Sequence, residues 1–197
     1  MMHFRRHGRQ QGFTLIELMA TLTVAAVLMM VAVPSVMSFK RNSELTSATN
    51  TLLASINTAR GEAMKRGSNA IMAPTNGTDW TGGWIVFVYV YAAGRTTGTS
   101  GYTYDAAYDK LIQQQPALPS YISVSGNGNT GIANPYIMYD ASGYSKTKGS
   151  GTQNSTLSIS RNDVSSSDQI RRIKIAVTGR ARACNPATDT SCTTTLE

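Results

Sequence analysis

Three groups of residues have types and spacings that could do chemistry. The first is a run of cations near the C-terminus: Arg171, Arg172, Lys174, Arg180 and Arg182 fall within twelve residues, with no acid among them. A guanidinium is planar and donates two parallel hydrogen bonds, so such a run suits phosphate or carboxylate partners. The second group is Cys184 and Cys192, the only two cysteines, separated by a short loop. The third is Glu17, the one charge among the apolar residues from Phe13 to Val33. A carboxylate in such a stretch either snorkels to a nearby interface or has a cationic partner in the working state.

Other chemistries are missing. The two histidines, His3 and His7, sit in the first ten residues, so a chain that loses this end has no imidazole base or metal ligand. No G-x-S-x-G, P-loop or paired-carboxylate pattern stands out. The expectation is a protein that is not an enzyme and carries no cofactor and no metal. Charged residues make up 15% of the 197, against about a quarter in ordinary soluble proteins, while small polar residues abound. That balance points to an exported chain rich in strands and loops, with a net charge of +7. In an exported protein Cys184 and Cys192 pair as a disulfide. Closing so short a loop contributes about 2–3 kcal/mol and ties the tail beside the arginines.

The elements that must position these residues follow from the hydropathy pattern. Residues 1–12 are polar, with Arg5, Arg6 and Arg9 and no acid; then Phe13 to Val33 is a largely apolar stretch of 21 residues with Glu17 as its only charge. At about 1.5 Å per residue such a helix covers the roughly 30 Å of a hydrocarbon core. The larger basic cluster before it favours a cytoplasmic N-terminus. No A-x-A-like site of an ordinary secretory signal follows. After Pro34, Leu45, Ala48, Leu52, Ile56, Ala59 and Ala63 recur at spacings of three and four, one face of a helix packed on a core. We read one helix over 14–66, stopped by Gly67-Ser68.

Beyond residue 68 the pattern is β. Trp84 to Tyr91 is rich in aromatic and β-branched residues and reads as a strand. Shorter strands are expected at 69–73, 121–125, 136–140, 156–161 and 170–178. Between them, Ala92 to Asp109 reads as a mobile loop whose tyrosines either pack or stack on a ligand. Alternation in the last strand sends Ile173, Ile175 and Val177 to the core and Arg172 and Lys174 to the surface. Thr178-Gly179 then turns the chain, and Arg180 and Arg182 project together from an extended segment. Lys146 and Lys148 are candidates to extend this basic patch. The class is α+β, a long N-terminal helix packed on an antiparallel β-sheet head. Its regions are 1–12, a basic leading segment; 13–34, a transmembrane-length helix; 35–67, its amphipathic second half; and 68–197, the β-rich head.

The segment Gly12-Phe13-Thr14-Leu15-Ile16-Glu17-Leu18-Met19 resembles the leader junction of type IV pilins and type II secretion pseudopilins. The resemblance implies that a prepilin peptidase cuts between Gly12 and Phe13 and that Phe13 is methylated. It also implies that Glu17 neutralises the N-terminal amine of a neighbouring subunit, and Pro34 stands where many pilins carry a proline. Within this class, residues 68–184 resemble the GspH/FimT group, whose head has two sheets. The carrying features are Trp80-x-x-Gly83-Trp84-Ile85-Val86-Phe87 and the end of the final strand. Gly179-Arg180-Ala181-Arg182 is similar to the GRxR motif of FimT-type minor pilins that bind DNA in natural transformation. What the resemblance implies is a minor pilin held in the inner membrane, head in the periplasm, and then built into an extracellular pilus. There it would contact other pilins and would hold double-stranded DNA, without sequence preference, through Arg180 and Arg182, helped by Arg171, Arg172 and Lys174. The alternative is a structural minor pilin or pseudopilin of the FimU or GspH kind, whose arginines serve subunit contacts.

Overall fold

The computed structural model describes residues 12–91, 102–149, 151–164 and 167–194. The leader before Gly12 and residues 92–101 of the expected loop lie outside the described residues.

Helix α1 runs Leu15–Arg66 with Pro34 inside it. Thr14 precedes its first residue, and Thr14 and Glu17 cap the end reciprocally. The Thr14 hydroxyl oxygen accepts the Glu17 N–H at 3.3 Å, and the Glu17 carboxylate accepts the Thr14 N–H at 2.9 Å. Gly67 closes the other end at φ 60°, and the Ser68 N–H returns to the Ala63 carbonyl at 3.2 Å. That left-handed stop is the one Gly67-Ser68 predicts.

The chain divides into two compact units after Arg41. In the first, the helix is long and apolar enough to cross a membrane, and its large side chains are exposed, from Met37 at 51% to Met30 and Phe39 at 76%. Two hydroxyls in this stretch are satisfied within the helix: Thr21 donates to the Leu18 carbonyl and Thr23 to that of Met19.

The second unit, from Asn42, holds the core. All six residues of the predicted stripe, Leu45 to Ala63, are buried. They pack on the inner faces of two antiparallel sheets. One has the order β3–β2–β1–β5–β6: β1 Ala70–Pro74, β2 Trp84–Val88, β3 Lys110–Gln115, β5 Ile137–Tyr139 and β6 Ser145–Lys146. The other has the order β4–β7–β8–β9: β4 Ile122–Asn127, β7 Ser155–Arg161, β8 Ile170–Ile175 and β9 Ala181–Cys184. Met72, Trp84, Val86 and Tyr139 of the first sheet and Leu157, Ile159, Ile173 and Ile175 of the second share one cluster with the helix. Each such side chain, fully buried, is worth about 1.5–3 kcal/mol.

The first sheet is apolar on its far face as well. Ile71, Phe87, Tyr89 and Met138 are covered there by Tyr102, Tyr104 and Tyr136. Tyr102 meets Tyr89 and Tyr136 edge to face at 5.0 and 5.1 Å. Of the two readings of these tyrosines, packing holds for Tyr102 and Tyr104, while Tyr108 is exposed. Burial raises the Tyr102 and Tyr136 phenols above their ordinary pKa.

Candidate functional site

Strands β8 and β9 form a hairpin around Ala176-Val177-Thr178-Gly179. The Gly179 N–H donates to the Ala176 carbonyl at 2.8 Å and the Ala176 N–H to the Arg180 carbonyl at 2.9 Å. Gly179 takes φ 80°, the left-handed position that such a turn leaves for glycine. The space is closed too: a Cβ there would lie 1.8 Å from the Gly143 carbonyl oxygen. Ile173 and Ile175 are buried as alternation requires, while Val177 is half-buried because the strand has already entered its turn.

Register sets which cations share a face. Arg172 lies opposite Cys184, and Lys174 lies opposite Arg182. All four point away from the core, on the outer face of the second sheet. Two like charges directly opposite each other are unfavourable unless acceptors stand over them. The disulfide between Cys184 and Cys192, with Cα atoms 5.9 Å apart, supplies these by folding the tail back. Arg172 donates to the Cys192 carbonyl. Lys174 reaches the Ser191 carbonyl and the Thr193 hydroxyl, each at 3.4 Å. Arg182 pairs with Asp189 at 3.0 Å and donates to the Ser191 hydroxyl at 2.8 Å. Hydrogen bonding by the Ser191 hydroxyl, then by Arg182, holds the Asp189 carboxyl below its ordinary pKa.

The structure therefore gathers Arg172, Lys174, Arg182, Cys184 and Cys192 into one group. It does not present Arg180 and Arg182 as a matched free pair. Arg182 is a strand residue engaged by the loop, whereas Arg180 is exposed at the turn, its side chain with no hydrogen bond or ion pair to any described residue. Arg171, on the opposite face of β8, donates to the carbonyls of Asp168 and Ile170 at 2.6 and 2.9 Å. Lys146 pairs with Asp140 at 3.4 Å, and the Lys148 ammonium stands 5.8 Å over the Tyr102 ring. Among the described residues no group of three or more His, Cys, Asp and Glu could hold a metal.

Three residues of consequence went unread in the sequence. Thr14 is half of the capping box with Glu17, and the Thr-x-x-Glu spacing before an apolar run is its signal. Asp189 lies seven residues past Arg182, and only the loop-back makes it a partner. Arg60, on the helix, donates to the carbonyls of Gly143 and Thr178, and no local pattern announces that.

Residues 7–33 match the prokaryotic N-terminal methylation motif. Residues 48–179, more than half the chain, match the family of the type II transport protein GspH. The chain belongs to the GspH family. The GspH match ends at Gly179, so β9 and the disulfide loop lie beyond it. No curated protein matches the sequence. Among solved structures, the type IV minor pilin FimU of Pseudomonas aeruginosa aligns at a TM-score of 0.53 and 19% identity. That alignment covers 76% of this chain and 95% of FimU. A second crystal form of FimU gives 0.50 and 18%, over 73% and 94%. The minor pseudopilin EpsH of the Vibrio cholerae type 2 secretion system gives 0.48 and 14%, over 73% and 98%. The likeness to FimU shows that the GspH-family fold here is the minor-pilin fold, a long helix on two antiparallel sheets.

Proposed function

We propose that this GspH-family chain is a minor pilin that holds double-stranded DNA, without sequence preference, at the tip of its C-terminal hairpin. The observation that carries the reading is Arg180: an exposed guanidinium with no partner among the described residues, on a tight turn beside three further cations. Arg180 makes the direct phosphate contact. Arg172, Lys174 and Arg182, each bonded to the disulfide loop, keep the surrounding surface positive, with Asp189 paired to Arg182. Contacts of this kind go to the DNA backbone and carry no base information, which suits uptake of any sequence. Weak single contacts suffice where neighbouring subunits add avidity.

Prepilin peptidase cuts after Gly12, and Phe13 becomes the methylated N-terminus. The apolar half of α1 holds the subunit in the inner membrane, with the head in the periplasm, until other pilins take it into an extracellular pilus. Glu17, held by Thr14 within the subunit, then meets the amine of a neighbour. A salt titration of DNA binding by the purified chain and its Arg180→Gln variant tests the DNA reading. The second reading is a structural minor pilin or pseudopilin that binds no DNA. The observation favouring it is that Arg172, Lys174 and Arg182 already bond the disulfide loop, as they would if the arm were built for subunit contacts.

A further inference from the structure

Arg60 leaves α1 more than a hundred residues before the C-terminal hairpin, yet its guanidinium ends against it. Its Nε donates to the Gly143 carbonyl at 3.0 Å and its Nη2 to the Thr178 carbonyl at 3.1 Å. Gly143 lies in the turn between β5 and β6, and Thr178 in the turn between β8 and β9. One side chain thus ties the helix to a turn from each sheet. Both turns are pressed onto it. A Cβ on Gly179 would lie 2.9 Å from the Arg60 Nε, and one on Gly143 would lie 3.1 Å from the same atom and 2.6 Å from the Met64 sulfur. The next residue past this junction is Arg180.

We propose that Arg60 is a positioning residue for the phosphate contact of Arg180. By holding the Thr178 carbonyl it fixes the turn, so Arg180 is presented from an ordered tip, and the ordering cost of binding falls. The inference rests on the DNA reading above. It depends on geometry rather than charge, because two donors must reach two carbonyls on separate turns. The guanidinium fork does this, and a lysine ammonium on a flexible stem, with the same charge, does not reproduce it.

Charge and geometry separate in the variants Arg60→Lys and Arg60→Gln of the full chain in detergent micelles. Two readouts apply: hydrogen exchange of the Ala176 and Gly179 amides, and binding of a double-stranded DNA fragment over a salt series. Both variants should speed exchange at the tip while Ile173 and Leu157 keep their protection. Both should weaken DNA binding to a similar degree, by roughly two- to fivefold at low salt. An Arg60→Lys variant with wild-type exchange and affinity overturns the inference, since charge alone would then suffice. Loss of protection throughout β7 and β8 also overturns it, because Arg60 would then support the whole head. Wild-type chain that fails to bind DNA overturns the DNA reading. Wild-type binding that neither variant alters overturns this inference alone.

Discussion

The glycine of the Gly-Arg-x-Arg segment offers the sharpest structural test, because its requirement comes from two separate causes. Gly179 has φ 80°, and a non-glycine residue in that region costs about 1–2 kcal/mol. A Cβ there would also lie 1.8 Å from the Gly143 oxygen, where real contacts stay above 3.0 Å. Gly179→Ala must therefore part the two turns by more than an ångström. That movement breaks the Arg60 bonds to Gly143 and Thr178, each worth about 0.5–1.5 kcal/mol. The total comes to about 3 kcal/mol, which in a chain of this size lowers the melting midpoint by roughly 6–12 °C. Gly67→Ala is the matched control: φ is 60°, but nothing lies within 4 Å of the added carbon. It should lower the midpoint less, by about 2–8 °C on the same scale. Thermal unfolding followed by near-ultraviolet circular dichroism reads the head directly, since both tryptophans, Trp80 and Trp84, are buried there. If Gly179→Ala melts with the Gly67→Ala control, the packed junction of turns and Arg60 is not as described.

Two further perturbations address other links. The Asp189 carboxyl is held low by Ser191 and Arg182, so the folded loop binds protons less readily than the unfolded chain. Its contribution is complete above the ordinary aspartate pKa of about 3.9 and is lost as pH falls through the lower folded value. The Ser191 amide, which donates to Asp189 at 2.9 Å, should show this titration by nuclear magnetic resonance below pH ~3.9, and Asp189→Asn should abolish it. A midpoint at or above the ordinary value would contradict the Arg182–Asp189 clamp. At the other end, Glu17→Ala should leave cleavage after Gly12 and membrane insertion intact but reduce incorporation into filaments. Glu17→Gln, which still accepts from Thr14 but carries no charge, should show the same defect. Normal incorporation of Glu17→Gln would make Glu17 a helix cap and no more.

The helix was legible because each of its signals is local. The stripe from Leu45 to Ala63 shows the 3.6-residue period, and Gly67 stands one residue past the end. Strand β2 was legible from Trp84 onward for the same reason, though it stops at Val88 rather than Tyr91. Strand β3, Lys110–Gln115, was not anticipated: three glutamines in a row show no apolar alternation, because β3 is an edge strand with half-exposed faces. Two-residue β6 is too short to leave a pattern. Strand β9 escaped because Arg180-Ala181-Arg182 reads as loop until its pairing with β8 is known. That pairing changes the chemistry of the segment. Alternation placed Arg180 and Arg182 together, but one became a turn residue and the other a strand residue under the disulfide loop. The cysteines announced the loop; its acid, Asp189, landing on Arg182 is a tertiary event.

Salt dependence of DNA binding tests the central claim most directly. Purified chain is titrated with double-stranded fragments of unrelated sequence at several salt concentrations, beside Arg180→Gln and Arg182→Gln. The account predicts similar affinities for all sequences and a logarithm of K that falls linearly with the logarithm of salt. Arg180→Gln should make that slope shallower by about 0.9, one phosphate contact. Arg182→Gln should change it less, because Asp189 already neutralises that guanidinium. Absence of salt-dependent binding, or an Arg180→Gln slope equal to that of the wild type, would contradict the account and leave the hairpin to contacts between subunits.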